Sequence, residues 1–205
     1  MSLVSGIRAA PDVFSVLFRR GNKTKTAPPP MGMERVTSLH ILGVTITDNL
    51  RASSHVNGVL GACSGSLHAL RVLRAHGLHE AALHEVTRAT TIARLLYASP
   101  AWWGYTTAGD RYRLSRFLHR VKRIGYLPPQ QPDVDKLMDD ADCRLLQAIT
   151  RNPYHVLRSL FPPVVHRPYV LRVRPHDFEL PKKDYYNFVS RVLFRKVRVG
   201  SSQPQ

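Results

Sequence analysis

Ser53-Ser54-His55-Val56-Asn57-Gly58-Val59-Leu60-Gly61-Ala62-Cys63-Ser64-Gly65-Ser66-Leu67-His68-Ala69-Leu70-Arg71-Val72-Leu73 is the stretch that sets the fold class. Val56, Val59, Leu60, Cys63, Leu67, Leu70 and Leu73 recur at steps of 3, 1, 3, 4, 3 and 3. At 3.6 residues per turn those steps gather the apolar groups on one helix face. Ser53 or Ser54 is a candidate N-cap and Gly77 a candidate stop. Downstream the same period returns three times. A second helix is expected from about His79 to Ser99, with Leu83, Val86, Ile92, Leu95 and Leu96 apolar and Pro100 limiting it. A third starts after Asp110, a candidate N-cap, and carries Leu114, Phe117, Leu118, Val121 and Ile124. A fourth follows Pro132-Asp133, with Val134, Leu137, Met138, Ala141, Leu145, Leu146 and Ile149 on one face. Four amphipathic helices joined by short connections predict an antiparallel bundle. His155 to Phe161 and Tyr185 to Lys196 are candidates for further short helical turns.

Upstream of the bundle, residues 36–47 give the best strand signal, with Val36, Leu39, Ile41, Val44, Thr45 and Ile46 β-branched or aliphatic. Gly43 inside the run marks a bulge or a close backbone approach. One strand cannot stand alone, and no second strand of equal strength is visible nearby, so it reads as the edge of a larger sheet. The predicted fold is mainly α, an antiparallel helical bundle with a short β appendage and a basic irregular tail. Residues 1–30 form a poorly ordered basic leader, with Pro28-Pro29-Pro30 closing it and Asp12 to Phe18 a candidate short strand. The strand segment takes residues 31–48, the bundle 49–163 and the basic aromatic tail 164–205.

Composition excludes several classes. Apolar residues are 43% of 205, enough for a core. No apolar run approaches the ~20 residues of a bilayer span, and no apolar signal region opens the chain, so neither membrane insertion nor secretion is expected. Cys63 and Cys143 make neither a disulfide scaffold nor a four-thiolate zinc site. Thirty Lys and Arg against fourteen Asp and Glu leave a net charge of +16. That charge favours a polyanionic partner, nucleic acid before an anionic membrane surface. It is uneven: residues 106–131 hold six cations and one anion, residues 132–161 four and five, and residues 162–205 nine and three.

The third helix carries the sharpest chemistry. Arg113, Arg116, Arg120 and Arg123 are spaced 3, 4 and 3, forming a stripe opposite Leu114, Phe117, Val121 and Ile124. Such a row suits a phosphate backbone in charge and geometry; the alternative is an ordinary solvated face. In the tail, Arg167, Arg172, Arg174, Lys182, Lys183, Arg191, Arg195, Lys196 and Arg198 interleave with Tyr169, Phe178, Tyr185, Tyr186, Phe188 and Phe194. Cations with aromatics suit a single strand; equally, the aromatics dock on the bundle. Trp102, Trp103 and Tyr105 read as core closure between the second and third helices. His76, His79 and His84 straddle the break at Gly77 and gain no completing ligand, so no metal site is expected. Asp133, Asp135, Asp139, Asp140 and Asp142 lie in a helical context rather than on a hairpin, and read as a helix-start charge cluster rather than a metal-holding pair. No catalytic set is visible, so no catalytic residue is assigned.

Five segments in order resemble one family. Glu34-Arg35-Val36, Leu39, Leu42-Gly43-Val44 and Ile46 resemble the run that closes the palm of non-LTR (LINE-type) retrotransposon reverse transcriptases. His55-Val56 and Leu70 to Gly77 resemble that family's first thumb helix, and Ala93-Arg94-Leu95-Leu96-Tyr97-Ala98-Ser99-Pro100-Ala101-Trp102 its next signature. Asp110-Arg111, Phe117-Leu118, Arg120 and Arg123-Ile124-Gly125-Tyr126 resemble the third thumb helix. Tyr169 to His176, with Asn187-Phe188-Val189 and Arg191, resemble the tail. The likeness spans roughly residues 27–197.

The resemblance implies an RNA-directed DNA polymerase parent whose Mg²⁺ is held by palm aspartates upstream of Leu42-Gly43-Val44. This chain is expected to hold the last palm strand, the thumb and the tail, as a partial gene or degenerate element copy with no cofactor of its own. Its implied partners are RNA and DNA as a primer–template duplex, gripped through Arg113, Arg116, Arg120, Arg123, Arg172 and Arg174, and the missing palm portion of a polymerase. A nuclear or cytoplasmic location follows from the resemblance. A free-standing basic helical nucleic-acid-binding module and a non-functional remnant are the rival readings.

Overall fold

The run 36–47 supplies its own partner. In the computed structural model, which describes residues 36–165 and 176–194, it folds back as a hairpin of β1 (Ser38–Ile41) and β2 (Val44–Thr47). The strands are antiparallel, with Ser38 opposite Thr47 and Ile41 opposite Val44. The single strand expected from the sequence is therefore corrected to two. The reason lies in the turn: Leu42 at φ 47° and Gly43 at φ 82° make a two-residue loop with both residues left-handed, the geometry that matches strand twist. Gly43 also meets the expectation of a close approach, since a Cβ there would lie 3.2 Å from the Tyr97 ring. The Tyr97 hydroxyl donates to the Leu42 carbonyl at 3.0 Å, fixing the turn to the helices.

Helix α1 (Ser53–Ala75) buries Val56, Val59, Cys63 and Leu70 as the period predicts, while Leu73 is exposed. Neither candidate serine caps it: Ala52 holds the N-cap position with no side-chain bond. Ser53 instead donates to Asp110 Oδ2 at 2.6 Å, tying α1 to the helix that carries Asp110. Gly77, at φ 87°, ends α1.

The helix expected over His79–Ser99 is broken into parts. Residue His79 caps α2 (Glu80–Thr87), its Nδ1 accepting from the Ala82 N–H. A π-helical turn, Arg88–Ile92, then leads into α3 (Ala93–Leu96). Thr87 and Thr90 each donate back to the carbonyl four residues earlier, a contact that bends helices. The wide turn also corrects a phase error. Leu83 and Leu95 lie about 120° apart on an unbroken α-helix; taking up one extra residue leaves about 20°. Both are buried. The chain leaves the helix at Tyr97, passes left-handed Ala98 (φ 48°) and restarts as α4 (Ser99–Trp102), so Pro100 opens a helix rather than limiting one. The Trp102 indole N–H donates to the released Tyr97 carbonyl at 2.9 Å.

A 3-10 turn, Trp103–Tyr105, delivers the chain to α5 (Ala108–Arg123), and a loop leads on to α6 (Val134–Arg151). Asp110 is not the N-cap of α5: Thr107 is, with Asp110 as its reciprocal partner three residues on. Helices α1, α4, α5 and α6 enclose one core of Val56, Cys63, Leu70, Trp102, Leu114, Leu118, Val121 and Met138, to which Leu83 and Leu95 also belong. Trp102 and Trp103 are both buried in it, the closure expected of that cluster. A second core joins Leu146 and Ile149 of α6 to Phe161, Phe178, Val192 and Leu193. It gathers the 3-10 turn Arg158–Leu160, a bridge of Val164 with Phe178, and α7 (Phe188–Leu193). The protein is thus mainly helical with one small antiparallel sheet. Among the described residues no helix is long and apolar enough to cross a membrane. The expectations for residues 1–30 and for 196–205 lie outside the described residues.

Candidate nucleic-acid interface

Helix α5 begins with a capping box. The Thr107 hydroxyl accepts from the Asp110 N–H, and Asp110 Oδ2 accepts from the Thr107 N–H, both at 3.1 Å. Burial works against the Asp110 charge. Hydrogen bonds from Ser53 and Thr107, with the nearby Arg113 cation, outweigh it and hold the carboxyl below its ordinary 3.8. The start of the helix is therefore anchored to α1 through a buried anion, and its direction is fixed.

From that anchor the arginines sort into two kinds. Arg113, Arg116, Arg120 and Arg123 are all exposed, while Leu114, Leu118 and Val121 are buried on the opposite side. Over the ten steps from Arg113 to Arg123 the helix rises about 15 Å. Arg113 contacts Asp110 at 3.7 Å and stays 48% exposed, so part of its charge is balanced locally, by a residue three positions back. Arg116, Arg120 and Arg123 form no ion pair among the described residues. The other cations of this helix are used internally. The Arg111 guanidinium lies 4.6 Å over the Trp103 ring and donates to Thr106 Oγ1. Lys122 pairs with Asp133 at 2.9 Å and is largely covered.

The stripe gains one neighbour that sequence reading missed. Arg74 of α1 donates to the Ile124 carbonyl at 2.8 Å, and its guanidinium lies 5.0 Å over the Tyr126 ring. A cation at a helix C-terminus is favourable there. Fifty residues separate donor and acceptor, so no local pattern signals the contact.

In the tail the interleaved cations and aromatics separate. Phe178 is buried and Phe188 and Phe194 are half-buried, whereas Tyr185 and Tyr186 are exposed. Arg191 is committed to structure, donating to both oxygens of Asp142 at 2.9 and 3.0 Å and to the Pro100 carbonyl at 3.2 Å. Asp142, 3% exposed, thus leaves the helix-start cluster to which its sequence neighbours assign it. Arg172 and Arg174 lie outside the described residues. Among the described residues no three His, Cys, Asp or Glu side chains converge as metal ligands.

A groove lies between the hairpin, α1 and the π turn, lined by His40, Thr45, His55, Thr90, Arg94 and Tyr97 over a floor of Gly58, Ala62 and Ala93. No carboxylate is among the residues that line it. Burial, then the neighbouring His40, lowers the His55 pKa below 6.5. Arg94 donates to the Ala62 carbonyl and to Ser66 Oγ, which positions it on the groove wall. Compared with protein-family models, curated proteins and solved structures, the chain matches none.

Proposed function

We propose that the chain binds a nucleic-acid duplex along α5, as the thumb portion of a non-LTR retrotransposon-type reverse transcriptase grips its primer–template. In this reading the helical bundle is a thumb-like unit, the chain contributes grip rather than chemistry, and RNA and DNA are its partners. The observation that carries the reading is the division of α5: four exposed arginines on one side, and Leu114, Leu118 and Val121 buried on the other. A helix so held can offer its guanidiniums to phosphates without losing its packing. The chain's +16 charge adds long-range attraction to any polyanion. The family assignment rests on the sequence resemblance, the duplex grip on the stripe.

The test is a quadruple variant with Arg113, Arg116, Arg120 and Arg123 changed to glutamine. Substitutions at exposed sites cost within about 0.5 kcal/mol each, so circular dichroism should report an intact fold. Affinity for a primer–template duplex should fall, almost regardless of base sequence, because phosphates carry no base information. The slope of log affinity against log salt should drop by about 0.9 for each phosphate no longer neutralised. Unchanged affinity and slope in a folded quadruple variant refute the stripe as the duplex surface. An Arg172→Gln/Arg174→Gln variant then tells whether the tail grips instead.

A further inference from the structure

Two aromatic rings in succession stand out in water on one firmly bonded turn. Tyr185 is 64% exposed and Tyr186 52%. Their exposure does not come from slack in the chain. The Asp184 N–H donates to Ser190 Oγ at 2.8 Å, and the Ser190 hydroxyl donates to the Lys182 carbonyl at 3.2 Å. Asp184 Oδ1 accepts from the Tyr186 N–H at 2.9 Å, and Arg191 Nη1 donates to the Tyr186 carbonyl at 3.3 Å. The turn is pressed so close to the bundle that a methyl group on Gly104 would overlap the Tyr186 carbonyl. Only glycine allows that approach. The ring of Tyr186 lies near-parallel to Tyr105, 15° between planes and 6.3 Å between centroids. The Lys183 ammonium stands 4.8 Å over the Tyr185 ring. Lys182 and Lys183 are both exposed, so the rings are bordered by positive charge.

Rings fixed in place lose little freedom when something stacks on them, and lysines beside them attract an anionic chain. Flat π-faces with adjacent cations match the unpaired bases and backbone of a single strand, whereas a duplex offers stacked bases only at its ends. We infer that the Tyr185–Tyr186 turn, with Lys182 and Lys183, is a stacking ledge for single-stranded nucleic acid, separate from the duplex-binding stripe of α5. This rests on the reading of the protein as a nucleic-acid binder and adds a second, unpaired substrate class to it.

The experiment measures fluorescence anisotropy of a labelled oligouridylate and, separately, of a labelled duplex, with the full chain. Tyr185→Leu keeps bulk and removes the π-face; because the Tyr185 ring contacts Lys183 rather than the core, the fold should persist. Oligouridylate affinity should fall about tenfold, in keeping with the ~1–3 kcal/mol that a stacked base contributes. Duplex affinity should stay at the wild-type value. Tyr185→Trp should restore single-strand binding, which a merely structural role would not predict. Lys182→Gln with Lys183→Gln should lower the single-strand salt slope by about 0.7 for each phosphate no longer neutralised. Wild-type oligouridylate affinity in folded Tyr185→Leu overturns the ledge and leaves the α5 reading standing. Duplex binding without any oligouridylate binding in the wild type does the same. Loss of both ligands on the α5 substitutions alone shows one shared surface and also overturns a separate ledge, whereas a wild type that binds neither removes the parent reading together with the ledge.

Discussion

Asp142 and Arg191 show how much one pair of side chains decides. The carboxylate is buried in α6 and takes two hydrogen bonds from the guanidinium. Removing the cation leaves a charge in the interior with nothing to balance it. Breaking such a pair costs about 3–5 kcal/mol, while replacing both partners with apolar groups of similar size is often neutral. Arg191→Met should therefore lower the urea unfolding midpoint sharply, and Asp142→Leu combined with Arg191→Met should regain most of the deficit. A double variant as unstable as the single would mean that the bonds to Pro100 and Tyr186, rather than the ion pair, hold α7 in place. The helical period does place Asp142 on the buried row of α6, four residues from Met138 and four from Leu146, but nothing near it names its partner. Four other aspartates precede it within ten residues, and together the five read as a helix-start charge cluster. The partner lies forty-nine positions away, beyond any periodicity argument. By contrast, the exposure of Arg116, Arg120 and Arg123 was legible, because their spacing against Leu114, Phe117 and Val121 settles which side faces solvent.

At the scale of elements, helix faces read well and interruptions read badly. The buried rows of α1, α5 and α6 follow the 3.6-residue period, with Leu73 the departure at the end of α1. The hairpin did not, since its turn carries Leu42 where Asn or Asp would announce a two-residue loop. Nor did the π turn, because its wide backbone is a response to where Leu83 and Leu95 must pack. That origin predicts an unusual tolerance. Deleting Ala89 should let Arg88–Ile92 close into ordinary α-helix and keep Leu83 and Leu95 on one face, at a small cost in thermal stability. Deleting Ala69 from α1, where no slack exists, should turn Leu70 by about 100° relative to Cys63, leave the two about 120° apart and unfold the helical core. Equal melting temperatures for the two deletions would refute the phase-correcting role.

The molecule as a whole should lose stability on the acid side in two stages. His55 is buried and held neutral, so the unfolded chain binds more protons than the folded one once the pH falls below about 6.5. The stability it confers is complete above that value and declines as the pH drops through the lowered folded value. Asp110, also lowered, adds a second decline that begins near 3.8 and ends below its folded value. Chemical denaturation across this range should show both stages, with His55→Gln removing the first and Asp110→Asn shrinking the second, part of which belongs to Asp133, lowered by its bond to Lys122. A single stage insensitive to His55→Gln would contradict the burial of that ring. The closure of the molecule by Arg191 has a consequence for its synthesis. A ribosome adding about 5–20 residues per second needs roughly 2–10 s to travel from Asp142 to its partner. Throughout that delay the carboxylate must keep its water, so α6 cannot seal against the nascent bundle. The second core is then completed only after Arg191 and its neighbours Val192 and Leu193 have been made, and until then that face of α6 stays unsealed.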